Sequence, residues 1–124
     1  MVHILVVEDE DFLVRALEDN LSQEGYDVGV ARNGEEALTK IKEKKPDLIL
    51  LDLLMPKKDG FAVLEELKKN PDWNLIPVIV LSNLGTDHDI KRALQMGAND
   101  YFVKSQHPIA EVIEKVKKVL RGEN

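Results

Sequence analysis

The chain has no cysteine, which excludes disulfides, thiolate metal sites and a cysteine nucleophile. It has no apolar run approaching the roughly 20 residues needed to span a bilayer. Its start, Met1-Val2-His3-Ile4-Leu5-Val6-Val7, passes straight into acidic residues without a basic leader region, so it reads as a strand rather than a signal peptide. Basic charge is in deficit. A formal net charge of −6 and a pI near 5.1 argue against direct nucleic-acid binding through the bulk field of the molecule. Repeats, low-complexity tracts and linkers are also missing. What remains is 124 residues, 44% of them hydrophobic, enough for one domain with a proper core over residues 1–124. A soluble, cytoplasmic protein without membrane contact is the expectation.

One stretch organises the rest: Leu48-Ile49-Leu50-Leu51-Asp52-Leu53-Leu54-Met55-Pro56. Four apolar residues in a row read as a strand buried on both faces, as inside a parallel sheet. The carboxylate at its end has two readings. Asp52 opens a turn helped by Pro56, or it is a reactive carboxylate at the carboxyl end of a central strand, where open α/β sheets bind ligands.

The flanking chain alternates strand and helix. Ile4 to Val7 is a strand ending in four acids, Glu8-Asp9-Glu10-Asp11. Phe12 to Glu24 carries Leu13, Ala16, Leu17 and Leu21 on one helical face, stopped by Gly25. Asp27 to Ala31 is a brief strand. A helix opens at Asn33 or Gly34 and runs to about Lys44, before Pro46. After the central stretch, Lys57-Lys58-Asp59-Gly60 is a turn with Asp59 a candidate N-cap, and Phe61, Leu64 and Leu67 face inward on the next helix. Ile76 to Leu81 is the fourth strand. Thr86 or Asp87 caps a helix with Ile90, Ala93 and Leu94 inward, ended by Gly97. Tyr101 to Val103 is the last strand, and Ile109, Val112, Ile113, Val116 and Leu120 mark a long amphipathic final helix. Five strands and five helices in strict alternation imply a doubly wound parallel sheet with helices on both faces.

In such a sheet every strand's carboxyl end lies on one edge, so the polar residues there converge. They are Glu8 and Asp9, Asp52, Ser82 and Lys104. Crowded carboxylates need a cation, and oxygen ligands without His or Cys suit Mg²⁺. Lys104 is a point-charge phosphate binder and Ser82 a hydroxyl donor. A metal, a lysine and a hydroxyl around one carboxylate describe a phosphoryl-transfer site.

With those residues in order, the chain resembles the receiver domain of two-component response regulators over essentially its whole length. The matching pieces are Glu8-Asp9, Asp52 with Met55-Pro56, Ser82, Gly97-Ala98-Asn99-Asp100-Tyr101 and Lys104. The resemblance implies a flavodoxin-like sheet of order 2-1-3-4-5. It implies that Asp52 accepts a phosphoryl group from a histidine kinase or phosphotransfer protein, with Mg²⁺ held by Asp9, Asp52 and the Leu54 carbonyl and with Glu8 acting through a bound water. Lys104 and Ser82 would hold phosphoryl oxygens, and Tyr101 would change rotamer as Ser82 moves. The fourth helix, fifth strand and fifth helix would then present a switched surface to a downstream protein, an effector domain or a second copy. Because the chain ends at Asn124, output through protein–protein contact is expected, and no turnover of an external substrate. A docking module that acts without phosphorylation is the alternative.

Two positions depart from the family pattern. Ser105 stands where the family usually has proline, and a cis bond before serine costs about 3 kcal/mol, so a trans Lys104–Ser105 bond or a strained cis one is expected. Asn83 follows Ser82 where small residues are common, and with Leu54 it is expected to tune access to Asp52. A flavin-mononucleotide binder is disfavoured because Glu8 to Asp11 would repel its phosphate, and a phosphatase because Leu54 stands where a second acid is needed. His3, His88 and His107 receive no chemical role, and Lys40 to Lys45 and Lys115 to Arg121 read as solvated helix faces.

Overall fold

A computed structural model describes residues 1–123. The strands are β1 (His3–Val7), β2 (Asp27–Ala31), β3 (Leu48–Leu51), β4 (Val78–Ser82) and β5 (Asp100–Val103). The helices are α1 (Asp11–Gln23), α2 (Gly34–Glu43), α3 (Gly60–Lys69), α4 (Asp87–Gln95) and α5 (Ile109–Leu120). All strand pairs are parallel, and the sheet order is β2-β1-β3-β4-β5. This is the doubly wound architecture read from the alternation of elements.

Two hydrophobic layers follow from the period-2 geometry of strands. Leu5 and Val7 of β1, Ile49 and Leu51 of β3, and Val78 and Val80 of β4 face one way, packing on Ala37 and Ile41 of α2 and Val63, Leu64 and Leu67 of α3. Their sequence neighbours Ile4, Val6, Leu48, Leu50, Ile79 and Leu81 face the other way, onto Leu17 and Leu21 of α1 and Val112, Ile113 and Val116 of α5. The four residues of β3 are buried on both sides, which explains its unbroken apolar run.

Local chemistry sets the element boundaries. Asn33, Asp59 and Thr86 cap α2, α3 and α4 by accepting the amides of Glu36, Ala62 and Asp89 at 2.9, 2.9 and 3.1 Å. Gly25 and Gly97, with φ of 89° and 108°, turn the chain after α1 and α4. β4 starts at Val78 rather than Ile76 because Pro77 has no amide to give the ladder. Leu94, expected to face inward, is 43% exposed, and Phe61 is only half-buried, with the Arg92 guanidinium 4.0 Å above its ring. Every peptide bond among the described residues is trans, Lys104–Ser105 included. No helix among them is long and apolar enough to cross a membrane.

Candidate functional site

The paired strand ends carry the polar residues. Val7 pairs with Leu51, Leu51 with Val80, and Ser82 with Val103. Each ladder continues one residue further: Glu8 N–H donates to Ala31 O at 2.9 Å, Asp52 N–H to Val7 O at 3.0 Å, and Lys104 N–H to Ser82 O at 2.9 Å. The side chains of Glu8, Asp52 and Lys104 are therefore aimed by the sheet itself rather than by a mobile loop.

They meet. One carboxylate oxygen from each of Glu8, Asp9 and Asp52 lies within 4.8 Å of the others. Glu8 and Asp52 are buried at 2% and 3% exposure, while Asp9 is exposed. The Lys104 ammonium sits 3.0 Å from Glu8, 3.1 Å from Asp52 and 3.0 Å from Glu10. The second oxygen of Asp52 accepts the Leu54 amide at 3.1 Å, while the Leu54 side chain is half-exposed at the rim.

The electrostatics are those of a charge-deficient pocket. Burial pushes the Glu8 carboxyl up to about 7, and the neighbouring Asp52 charge adds to the rise against the opposing pull of Lys104. Burial by itself would lower the Lys104 ammonium, but hydrogen bonds to Glu8 and Glu10 and the charge of Asp52 outweigh it and hold the lysine firmly protonated. One ammonium is set against four carboxylates, those of Glu8, Asp9, Glu10 and Asp52. An oxygen-only donor set with surplus negative charge fits a hard divalent cation.

Ser82 is fully buried at the same edge, and its Oγ accepts the Leu84 amide at 3.3 Å. Tyr101 is also buried, and its hydroxyl donates to the Leu84 carbonyl at 2.5 Å. Burial raises the Tyr101 phenol above its ordinary pKa, so it stays a donor. Asn83, between Ser82 and Leu84, is exposed.

A family model for the response regulator receiver domain matches residues 4–117. The chain belongs to this family. It is 45% identical over 118 residues to a probable transcriptional regulator ycf27 of Porphyridium aerugineum, an alignment covering 95% of this chain and 48% of that protein. The receiver domain thus spans about half the length of the curated relatives it matches. Its fold is similar to the signal receiver domain of a signal transduction histidine kinase from Syntrophus aciditrophicus, with a TM-score of 0.89 and 38% identity, covering 98% of this chain and 92% of that one. It is also similar to the Mn²⁺-bound form of the response regulator Rcp1, with a TM-score of 0.81 and 31% identity, covering 98% and 91%.

Three contributors to the receiver site escaped the sequence reading. Gly60 lies so close beneath β3 that a Cβ there would stand 2.3 Å from the Asp52 carbonyl oxygen. Gly34 plays the same part for the loop between β3 and α3, where a Cβ would stand 2.2 Å from the Lys58 carbonyl oxygen that accepts the Gly34 amide. Both glycines are visible in the sequence at helix starts, but close approach has no sequence signature of its own. The third is Glu10, whose carboxylate reaches Lys104 and which is indistinguishable by type from the acids around it.

Proposed function

We propose that this receiver domain is a Mg²⁺-dependent phosphoacceptor of a two-component system, taking a phosphoryl group on Asp52 from the phosphohistidine of a histidine kinase or phosphotransfer protein. The observation that carries the reading is a buried carboxylate at a strand mouth, with Lys104 at 3.1 Å and the Glu8 and Asp9 carboxylates beside it. Asp9, Asp52 and the Leu54 carbonyl would hold the cation directly, and Glu8 would support it at one remove. When bound, the cation supplies positive charge against the phosphoryl oxygens. The structurally similar response regulator Rcp1, crystallised in an Mn²⁺-bound form, supports a divalent ion as the cofactor.

Asp52 acts as the nucleophile. An oxygen of its carboxylate forms a bond to phosphorus in line with the breaking phosphorus–nitrogen bond, whose electron pair returns to the donor imidazole. Lys104, already oriented by β5, exchanges a carboxylate contact for a phosphoryl oxygen. The Ser82 hydroxyl donates to another. Because Ser82 and Tyr101 both bond Leu84, a shift of Ser82 toward phosphate is felt by Tyr101 through one residue. That would bias the α4–β5–α5 face toward a downstream protein, an effector domain or a second copy. The curated relatives being transcriptional regulators, longer than this chain, supports a signalling output without turnover of an external substrate.

Labelling with acetyl phosphate and Mg²⁺, read by intact mass, tests the assignment. One phosphoryl group per wild-type chain and none on Asp52→Asn is expected; stoichiometric labelling of Asp52→Asn would sink it.

A further inference from the structure

Lys104 has three carboxylate partners, and the phosphoacceptor scheme uses two of them. Glu8 and Asp52 are buried beside the ammonium and belong to the metal cluster. The third partner, Glu10, is assigned no part by that scheme, although it stands 3.0 Å from the same Nζ.

Glu10 occupies the N-cap position of α1 with an extended backbone, φ −80° and ψ 112°. Its carbonyl accepts the Val14 amide at 2.9 Å, so its backbone serves the helix. Its carboxylate caps no helix amide, in contrast to the N-cap side chains of α2, α3 and α4. Glutamate is also a poor residue for that task, its chain being one carbon longer than the preferred aspartate. The side chain is instead spent on Lys104. The Glu10 amide donates to Glu8 Oε2 at 3.1 Å, so one residue fixes Glu8 with its backbone and Lys104 with its side chain.

Exposure separates the three partners. The Glu8 and Asp52 side chains are 2% and 3% exposed and cannot follow a moving lysine, whereas Glu10 is 54% exposed and can swing into water. Lys104 is itself only 10% exposed, which confines its ammonium to a short arc between these oxygens. An arriving phosphoryl oxygen must take the ammonium from within that arc.

We propose that Glu10 is a positioning residue that competes with the incoming phosphoryl group for the Lys104 ammonium and thereby slows phosphoryl acceptance at Asp52. This rests on the phosphoacceptor reading of Asp52. The competition forms and breaks ion contacts alone; the covalent step remains the transfer from donor nitrogen or acyl oxygen to Asp52. Because Glu10 does not cap α1 with its side chain, Glu10→Gln removes the charge without removing a helix hydrogen bond.

The test is a double-mutant cycle on the whole chain, with acetyl phosphate and Mg²⁺ as probes and the labelling rate of Asp52 as the readout. Glu10→Gln is expected to label about two- to five-fold faster than wild type, the range of a half-exposed ion pair. Lys104→Gln and the Glu10→Gln/Lys104→Gln pair are expected to label at the same rate as each other. An equal acceleration in both backgrounds would show that Glu10 merely repels the anionic donor, and no acceleration at all would equally overturn the proposal. A second readout needs no phosphoryl group. In Mg²⁺-free protein, the Lys104 ammonium resonance in ¹⁵N-lysine spectra should move in Glu10→Gln and stay in place in Asp11→Asn, whose carboxylate is exposed and paired with Arg32. An unmoved resonance overturns the proposal even where labelling succeeds. A wild-type chain that takes no label, with the resonance shift intact, would instead refute the phosphoacceptor reading and leave the Glu10–Lys104 contact standing.

Discussion

The Tyr101 hydroxyl donates a 2.5 Å hydrogen bond to the Leu84 carbonyl, tying the buried aromatic of β5 to the segment that leaves β4. Removing the hydroxyl strands that carbonyl without removing the ring. Tyr101→Phe should therefore lower stability by about 1 kcal/mol. The local effect is more telling: amide exchange at Leu84 and Gly85 should accelerate more than at Val80 in the centre of β4. Uniform acceleration across the strand would contradict the role given to this bond.

Gly60→Ala should damage the site through the backbone. Its Cβ would stand 2.3 Å from the Asp52 carbonyl oxygen and 2.6 Å from Leu53 Cα, and neither atom can yield without moving the end of β3. A loss of about 1–3 kcal/mol is expected, together with weakened Mg²⁺ binding measured by calorimetry. Gly85→Ala is the comparison. Its Cβ meets a Val103 methyl at 3.3 Å, a side chain that can shift, and should cost less.

The Glu8 carboxyl makes the metal-free protein's stability fall with rising pH. Its pKa is raised from 4.5 to about 7, by burial first and Asp52 second, so between those values the folded state binds more protons than the unfolded one. That contribution is intact below the unfolded value and is lost as pH climbs through about 7, amounting to at most about 3 kcal/mol before solvent screening reduces it. Urea denaturation in chelator at pH ~5 and ~8 checks the sign, with Glu8→Gln flattening the difference. Adding Mg²⁺ at the higher pH should restore stability, because the cation binds the deprotonated cluster and not the unfolded chain. A metal-free protein that gains stability over this range would contradict the assignment.

On the phosphoacceptor reading proposed for Asp52, Asn83→Ala bears on the lifetime of the aspartyl phosphate. Asn83 follows the buried Ser82 and is itself exposed, so truncating it opens the rim without touching the core. If Asn83 crowds the approach of water, the variant should lose its aspartyl phosphate faster than wild type and accept a donor faster as well. Equal lifetimes would remove Asn83 from the site.

Much of this was legible in the sequence because the site residues sit where apolar runs end. Glu8, Asp52 and Lys104 each follow a strand, and alternation of strands with helices places those ends together. Depth at the rims of helices was less legible. A 3.6-residue period gives the centre of a buried stripe but not its edges, which the neighbouring elements decide. Phe61 and Leu94 have the right spacing for burial yet lie at such edges, Phe61 beneath Arg92 and Leu94 open to solvent. Val14 and Val63, which sequence spacing did not single out, are buried. The Glu10–Lys104 contact was invisible for another reason. In a run of four acids, residue type does not tell that Glu10 joins Glu8 at the lysine; the geometry at the start of α1 decides it.

The ladder bonds that run one residue past each strand make the site inseparable from the core. Glu8, Asp52 and Lys104 are aimed by the same register that sends Leu5, Ile49 and Val80 to one layer and their neighbours to the other. A one-residue slip of β3 would exchange its two hydrophobic faces and turn the Asp52 carboxylate off the edge in a single event. Misfolded chains with a misplaced carboxylate are thereby disfavoured without any separate safeguard: packing acts as a proofreader, and a molecule that has closed its core has also set its Asp52 carboxylate.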